Sequence, residues 1–169
     1  MTISPLTGAD NNPEFLFGMS FSEANQINFT PAVSEPFIPH SSFQPDCQPK
    51  CIYYETVYLG CPALGYVEFF DNMLYLHTYD LYPAVSVMKT FSRLDEILTQ
   101  QFGKPLVHSQ HDHALNATAI WEIEGTERVI VLSVVLYLGQ QRLLLTYMDY
   151  SPDELHSATL RFDNLKYSN

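Results

Sequence analysis

A change of hydrophobic period near residue 87 splits the β-favouring sequence of this chain into two halves. In PAVSVMKTFSRLDEILTQQFGKP, the residues Val87, Phe91, Leu94 and Leu98, with Met88 and Ile97 beside them, recur at helical spacing. That spacing predicts an amphipathic helix with one apolar stripe, stopped before Gly103 and Pro105. On its N-terminal side IYYETVYLG, LGYVEFF and MLYLHTYDL are β-favouring runs, broken at Gly60, Cys61 and Pro62 and again at Asp71 and Asn72. On its C-terminal side ATAIWEIE, RVIVLSVVLYL and QRLLLTYMDY are broken at Gly125 and Thr126 and at Gly139 and Gln140. Each trio reads as an antiparallel meander with tight turns. The helical stripe needs a facing apolar layer, and alternate strand residues such as Val131, Ser133 and Val135, or their neighbours, supply it. The expected fold is therefore α+β: a curved antiparallel sheet of about six strands, in the order α-βββ-α-βββ-α, with one long helix packed across a face.

The flanks differ from this centre. Most of the eleven prolines fall in residues 1–50, and a segment such as TPAVSEPFIPHSSFQPDCQP forms neither a helix nor a central strand. Residues 1–50 are expected to be a Pro-rich arm, and residues 51–169 a single α+β domain. Within the arm, Ser20 and Glu23 have capping-box spacing, which predicts a short helix near residues 20–28 after the strand-like Phe15 to Phe17 and Gly18. Ser151, Pro152, Asp153 and Glu154 open an expected terminal helix reaching Phe162.

Charge bounds the partners. Nineteen acidic against eight basic residues give a net charge of −11, which opposes binding to nucleic acid or to anionic membranes and favours a basic protein partner. The N-terminus lacks the basic start and the apolar run of about 7 to 15 residues of a secretory signal, so a cytoplasmic location is expected. Cys47, Cys51 and Cys61 cannot all pair within one molecule, and the Cys47/Cys51 spacing has no second ligand pair to complete a zinc site. Monomer and homodimer both fit.

The densest polar chemistry lies in VHSQHDHALN, residues 107–116. HSQHDH is one residue away from the H-x-H-x-D-H signature of the metallo-β-lactamase superfamily, with Gln110 standing where the second histidine belongs. His108, His111 and His113 are the candidate metal ligands, and a small metal-dependent hydrolase is one alternative reading. Gln110 is a poor zinc ligand and only His156 follows downstream, so no metal or other cofactor is expected. No G-x-S-x-G, P-loop or G-x-G-x-x-G is present, and Cys61 is the one thiol worth testing as a nucleophile. The carboxylates read as dispersed, except that Glu122 and Glu124 alternate around Ile123 beside Trp121. Eleven tyrosines, most on the expected strands, suit a sheet face used for binding, because Tyr joins a rigid apolar body to a polar tip.

FGMSFSEANQ resembles the Gly-Met-Ser/Thr helix start of the small bacterial SmpA/OmlA-type envelope proteins and the β-lactamase-inhibitor-like domains. LTQQFGKPLVHSQHDHALNATAIWEIEG, a helix ending in Phe-Gly-x-Pro, a loop and a Trp-bearing strand, resembles the same group, and the two pieces span about a quarter of the chain. The resemblance implies non-enzymatic protein binding through the exposed face of a sheet. The element order and acidity are also similar to those of the cytoplasmic chaperones of type III secretion effectors, which hold an extended partner segment. The expected function is a non-catalytic, acidic inhibitor of the immunity-protein kind that occludes a basic surface, with a secretion chaperone or assembly adaptor as the alternative. The candidate partner-binding residues are Trp121, Glu122, Glu124, Tyr66, Tyr75, Tyr79, His111 and His113.

Overall fold

The computed structural model describes residues 12–33, 50–110 and 116–149. Its elements in chain order are α1 (Phe21–Ala24), β1 (Thr30–Pro31), β2 (Lys50–Tyr58), β3 (Cys61–Phe70), β4 (Met73–Leu81), α2 (Val87–Phe102), β5 (Val107–Gln110), β6 (Ala117–Ile123), β7 (Arg128–Tyr137) and β8 (Gln140–Asp149). Three two-residue turns set the meanders. Leu59 and Gly60, Asp71 and Asn72, and Leu138 and Gly139 all take positive φ, the type I′ geometry whose twist matches that of paired strands. The third turn falls one residue before the expected Gly139-Gln140 break, because Tyr137 pairs with Gln140.

All strands join one antiparallel sheet in the order β1-β2-β3-β4-β8-β7-β6-β5. Among the described residues the sheet thus has eight strands where about six are expected from sequence. The additional two are β1, a two-residue edge on β2, and β5, formed by the first part of the histidine-rich segment pairing with β6. Both are too short to show a period-two pattern. The two meanders meet at β4 and β8, paired from Leu76↔Met148 to Leu81↔Leu143.

One face of the sheet is covered. Phe91, Leu94 and Leu98 of α2 are buried in one core cluster with Ile130, Leu132 and Val134 of β7 and Ala117, Ala119 and Trp121 of β6. The facing layer is therefore the set of β7 residues neighbouring Val131, Ser133 and Val135, as strand alternation allows. Over β2, β3 and β4 the same face is covered by the N-terminal segment. Phe15 packs 5.3 Å from the Tyr54 ring, Phe21 meets Phe69 edge-on at 5.2 Å, and Gly18, at φ +84°, donates its N–H to Leu74 O at 3.0 Å. Phe15 and Ala24 belong to the same buried cluster as α2, so residues 12–33 share one core with the strands that follow. The Pro-rich stretch 34–49 and the expected terminal helix 151–162 lie outside the described residues.

The capping box is present. Ser20 Oγ accepts from Glu23 N at 3.2 Å while Glu23 Oε2 accepts from Ser20 N at 2.7 Å, and the resulting helix is the single turn Phe21–Ala24, shorter than the helix expected near residues 20–28. Ile27 N still bonds Ala24 O at 3.1 Å, continuing as a turn.

Gly65 holds the β2–β3 junction. It pairs with Tyr54, whose ring lies across the space a Cβ at residue 65 would need. Gly65→Ala is expected to lower stability by about 3 kcal/mol, the scale of overpacking a core without room to relax, measured as a shift in urea midpoint. An unchanged midpoint would show that Tyr54 does not occupy that space.

Candidate functional site

The second face of the sheet is organised by strand pairing into rows. Tyr53, Tyr66, Thr78, Thr146, Val131, Ile120 and Val107 form one row from β2 to β5. Among the described residues no helix packs against this face, and its centre still buries Tyr66, Leu76, Ile120, Val129 and Met148 as a cluster of its own. Tyr53 stacks on Tyr66 with centroids 5.4 Å apart and planes 18° off parallel.

Glu68, 3% exposed, sits in the middle of the aromatic part. The Tyr66 hydroxyl donates to its Oε2 and the Tyr75 hydroxyl to its Oε1. Tyr75 reaches it because the register shifts between Glu68 and Phe69, which pair with Leu76 and Leu74, so that Tyr75 is an extra residue in β4. Burial raises the Glu68 carboxyl above its ordinary range, and the Tyr75 hydrogen bond offsets part of that rise. Further along, Thr78 and Thr146 hydroxyls meet at 3.0 Å, and fully buried Asp80 is paired with Arg142 at 3.0 Å and accepts from the Tyr82 hydroxyl at 2.9 Å. Burial and the adjacent Asp80 carboxylate push the Tyr82 hydroxyl up to about 12. Tyr53, Tyr75, Val131 and Ser133 are half-buried, and Glu55 and Glu122 stand exposed towards opposite edges of the same face. Glu68 has both oxygens engaged as acceptors, and the Cys51 thiol points at Tyr66 Oη at 3.6 Å. This arrangement gathers aromatic surface and carboxyl groups on one face of the sheet.

A second polar cluster lies inside the covered face. Tyr54 Oη and His77 Nε2 are 2.5 Å apart, Tyr58 and Tyr147 hydroxyls meet at 2.9 Å, and Asn12 Nδ2 donates to Tyr79 Oη at 2.8 Å. The Tyr58 and Tyr79 rings stack at 3.9 Å. Burial raises the hydroxyls of Tyr54, Tyr58, Tyr79 and Tyr147 and pushes His77 down to about 3, so the whole cluster is neutral.

These placements regroup the residues nominated from sequence. Tyr66 and Tyr75 come together around Glu68. Trp121 does not join Glu122: adjacent strand residues point to opposite faces, and the indole is fully buried in the core shared with α2, its Nε1 without an acceptor among the described residues. Tyr79 is also on the covered face, 2% exposed. Glu122 and Glu124 are exposed and line a shallow depression of about 290 Å³ with Lys104, Leu106 and Gly125. His108 pairs with Asp95 of α2 at 3.0 Å, and His111 and His113 lie outside the described residues. Among the described residues no three His, Cys, Asp or Glu side chains gather as a metal site. Cys61 is half-buried, and burial raises its thiol, with Arg93 acting the other way. Glu68, Arg142 and His77 are not among the residues nominated from sequence, and Tyr53 is there only as one of the strand tyrosines. The available signal was the single carboxylate in GYVEFF, an apolar strand with a tyrosine two residues before it on the same face.

No family model, curated protein or solved structure matches this chain. Among the described residues no helix is long and apolar enough to cross a membrane.

His77 gives a pH test. Its value is about 3 folded against 6.5 ordinarily, so the unfolded chain binds the proton more readily. Its contribution is complete above 6.5 and is lost as pH falls from there towards 3. His77→Gln keeps an acceptor for Tyr54 but cannot titrate. Between pH 7 and pH 4.5 the wild type is expected to lose about 2 kcal/mol more than the variant by urea unfolding. Equal losses would place His77 in contact with water.

Proposed function

We propose that this chain is a non-catalytic protein-binding domain that presents the second sheet face to a basic partner, in the manner of an inhibitor that occludes a functional surface. The observation that carries this reading is the stacked Tyr53/Tyr66 pair with Tyr75 around Glu68, on a face over which no described helix packs. Rigid aromatic anchors at the centre of a contact supply most of the affinity, and charges at its edge supply steering and register. Here Glu55 and Glu122 occupy the edge positions, and the chain's net charge of −11 adds long-range attraction for a cation-rich surface. The hydroxyl donors on Glu68 hold that carboxylate and both rings in one geometry before a partner arrives, which limits the ordering cost of association.

The test uses the full chain immobilised in native lysate, beside a Tyr53→Ala/Ser133→Arg variant whose circular dichroism matches the wild type. The wild type is expected to retain a basic protein that elutes when salt is raised, and the variant to retain it at least about tenfold less. Equal retention by the two, or no protein retained by the wild type, would overturn the assignment.

A further inference from the structure

The end of the sheet away from the β3–β4 turn carries repeated apolar prominences. The β2–β3 tip reads Val57-Tyr58-Leu59-Gly60 and the β7–β8 tip reads Leu136-Tyr137-Leu138-Gly139, one pattern used twice. Between them β4 leaves the sheet through Tyr82 and Val85. With β3, β4 and β8 adjacent, the two tips are three strand spacings apart, roughly 14 Å. Leu138 is 86% exposed and Val85 64%, with Leu136, Tyr137 and Val57 also exposed, while Leu59 is half-buried against the core. Leu59 and Leu138 hold φ of 51° and 48° at the first turn position, where Asn, Asp or Gly sit without strain. Two turns thus make the same choice against local preference, and in Leu138 against solubility as well.

Charge is segregated along the same axis. Residues 56–62, 81–93 and 134–143 contain Lys89, Arg93 and Arg142 and no acidic residue. Asp80, next to them, is fully buried and paired with Arg142. Lys89 and Arg93 are exposed in the first two turns of α2, which starts at this end. Asp71, Glu124, Glu127 and Asp149 lie at the opposite end, in the β3–β4 turn, in the β6–β7 loop and at the end of β8. Within residues 56–62, 81–93 and 134–143 the exposed charge is therefore positive.

We propose that this end is a peripheral contact for a lipid bilayer surface with anionic headgroups. Leu136, Leu138 and Val85 enter the boundary between headgroups and acyl chains, Tyr82 and Tyr137 lie at the headgroup level, and Lys89 and Arg93 face the lipid charges. Separate exposed apolar residues beside Lys89 and Arg93 suit a medium that closes around each of them and carries negative charge. Tyrosine is enriched at such interfaces, and apolar insertion combined with a few cations is the composition of a reversible surface anchor.

Vesicle co-sedimentation of the full chain tests this, with phosphatidylcholine alone and with roughly one third phosphatidylserine. Leu136→Thr/Leu138→Asn removes the exposed leucines of the β7–β8 tip with residues that the strand end and the turn accept, so the fold is retained. The wild type is expected to partition onto the anionic vesicles. The leucine pair should lower that partitioning about tenfold or more, and Lys89→Gln/Arg93→Gln about fivefold or more on anionic vesicles alone. The Tyr53→Ala/Ser133→Arg variant should partition like wild type, which separates this contact from the protein-binding face. No partitioning, or partitioning indifferent to the leucine pair, overturns the proposal. A concentration-dependent dimer abolished by the leucine pair without vesicle binding also overturns it, and reassigns the end to a second copy of the chain.

Discussion

The ladder between β4 and β8 makes one sheet out of two meanders. Six residue pairs, Leu76↔Met148 through Leu81↔Leu143, join strands separated by α2 and three further strands. Their register decides what shares a face: Thr78 meets Thr146 and Asp80 comes beside Arg142 on one side, while His77 aligns with Tyr147 and Tyr79 with Leu145 on the other. A slip of one residue would carry Asp80 into the apolar core and expose Tyr79. The polar pairs on the second face and the tyrosines on the first thus specify the same register from opposite sides.

The two faces solve the burial of polar groups differently. On the covered face every titratable group in the tyrosine cluster is held neutral, and hydroxyl–hydroxyl, hydroxyl–imidazole and amide contacts satisfy it. The second face keeps carboxylates instead, Glu68 answered by two tyrosine hydroxyls and Asp80 by Arg142 and Tyr82. Leaving a buried carboxylate with one donor removed is expensive, so these clusters are mutually dependent groups, and they fix the orientation of Tyr66, Tyr75 and Tyr82. That fixed orientation is what a binding surface built on aromatic rings requires.

Much of this was legible in the sequence wherever a local rule decides. The α2 stripe, the Asp71-Asn72 hairpin turn and the Ser20/Glu23 box each follow from a few neighbouring residues. What was not legible is non-local. Alternation in AIWEI places Trp121 and Glu122 on opposite faces, but which face α2 covers is set by β7 and β8. Tyr66 and Tyr79 look alike in their strands, yet the β3–β4 register puts them on different sides. The extra residue at Tyr75 leaves no composition signal, and without it that hydroxyl would not have been expected near Glu68. β1 and β5 hold two and four residues, too few for periodicity to register against the polar sequence around them.

The protein-binding account stands or falls on where a partner touches the chain. Amide and methyl chemical shifts of the labelled protein, followed while the basic partner retained from lysate is titrated in, would locate that contact. The account expects the largest changes at Tyr53, Tyr66, Tyr75, Ile120, Val131 and Ser133, on one face of the sheet. Changes concentrated on the solvent side of α2, at Ser92, Glu96 and Gln100, with the second face silent, would contradict it.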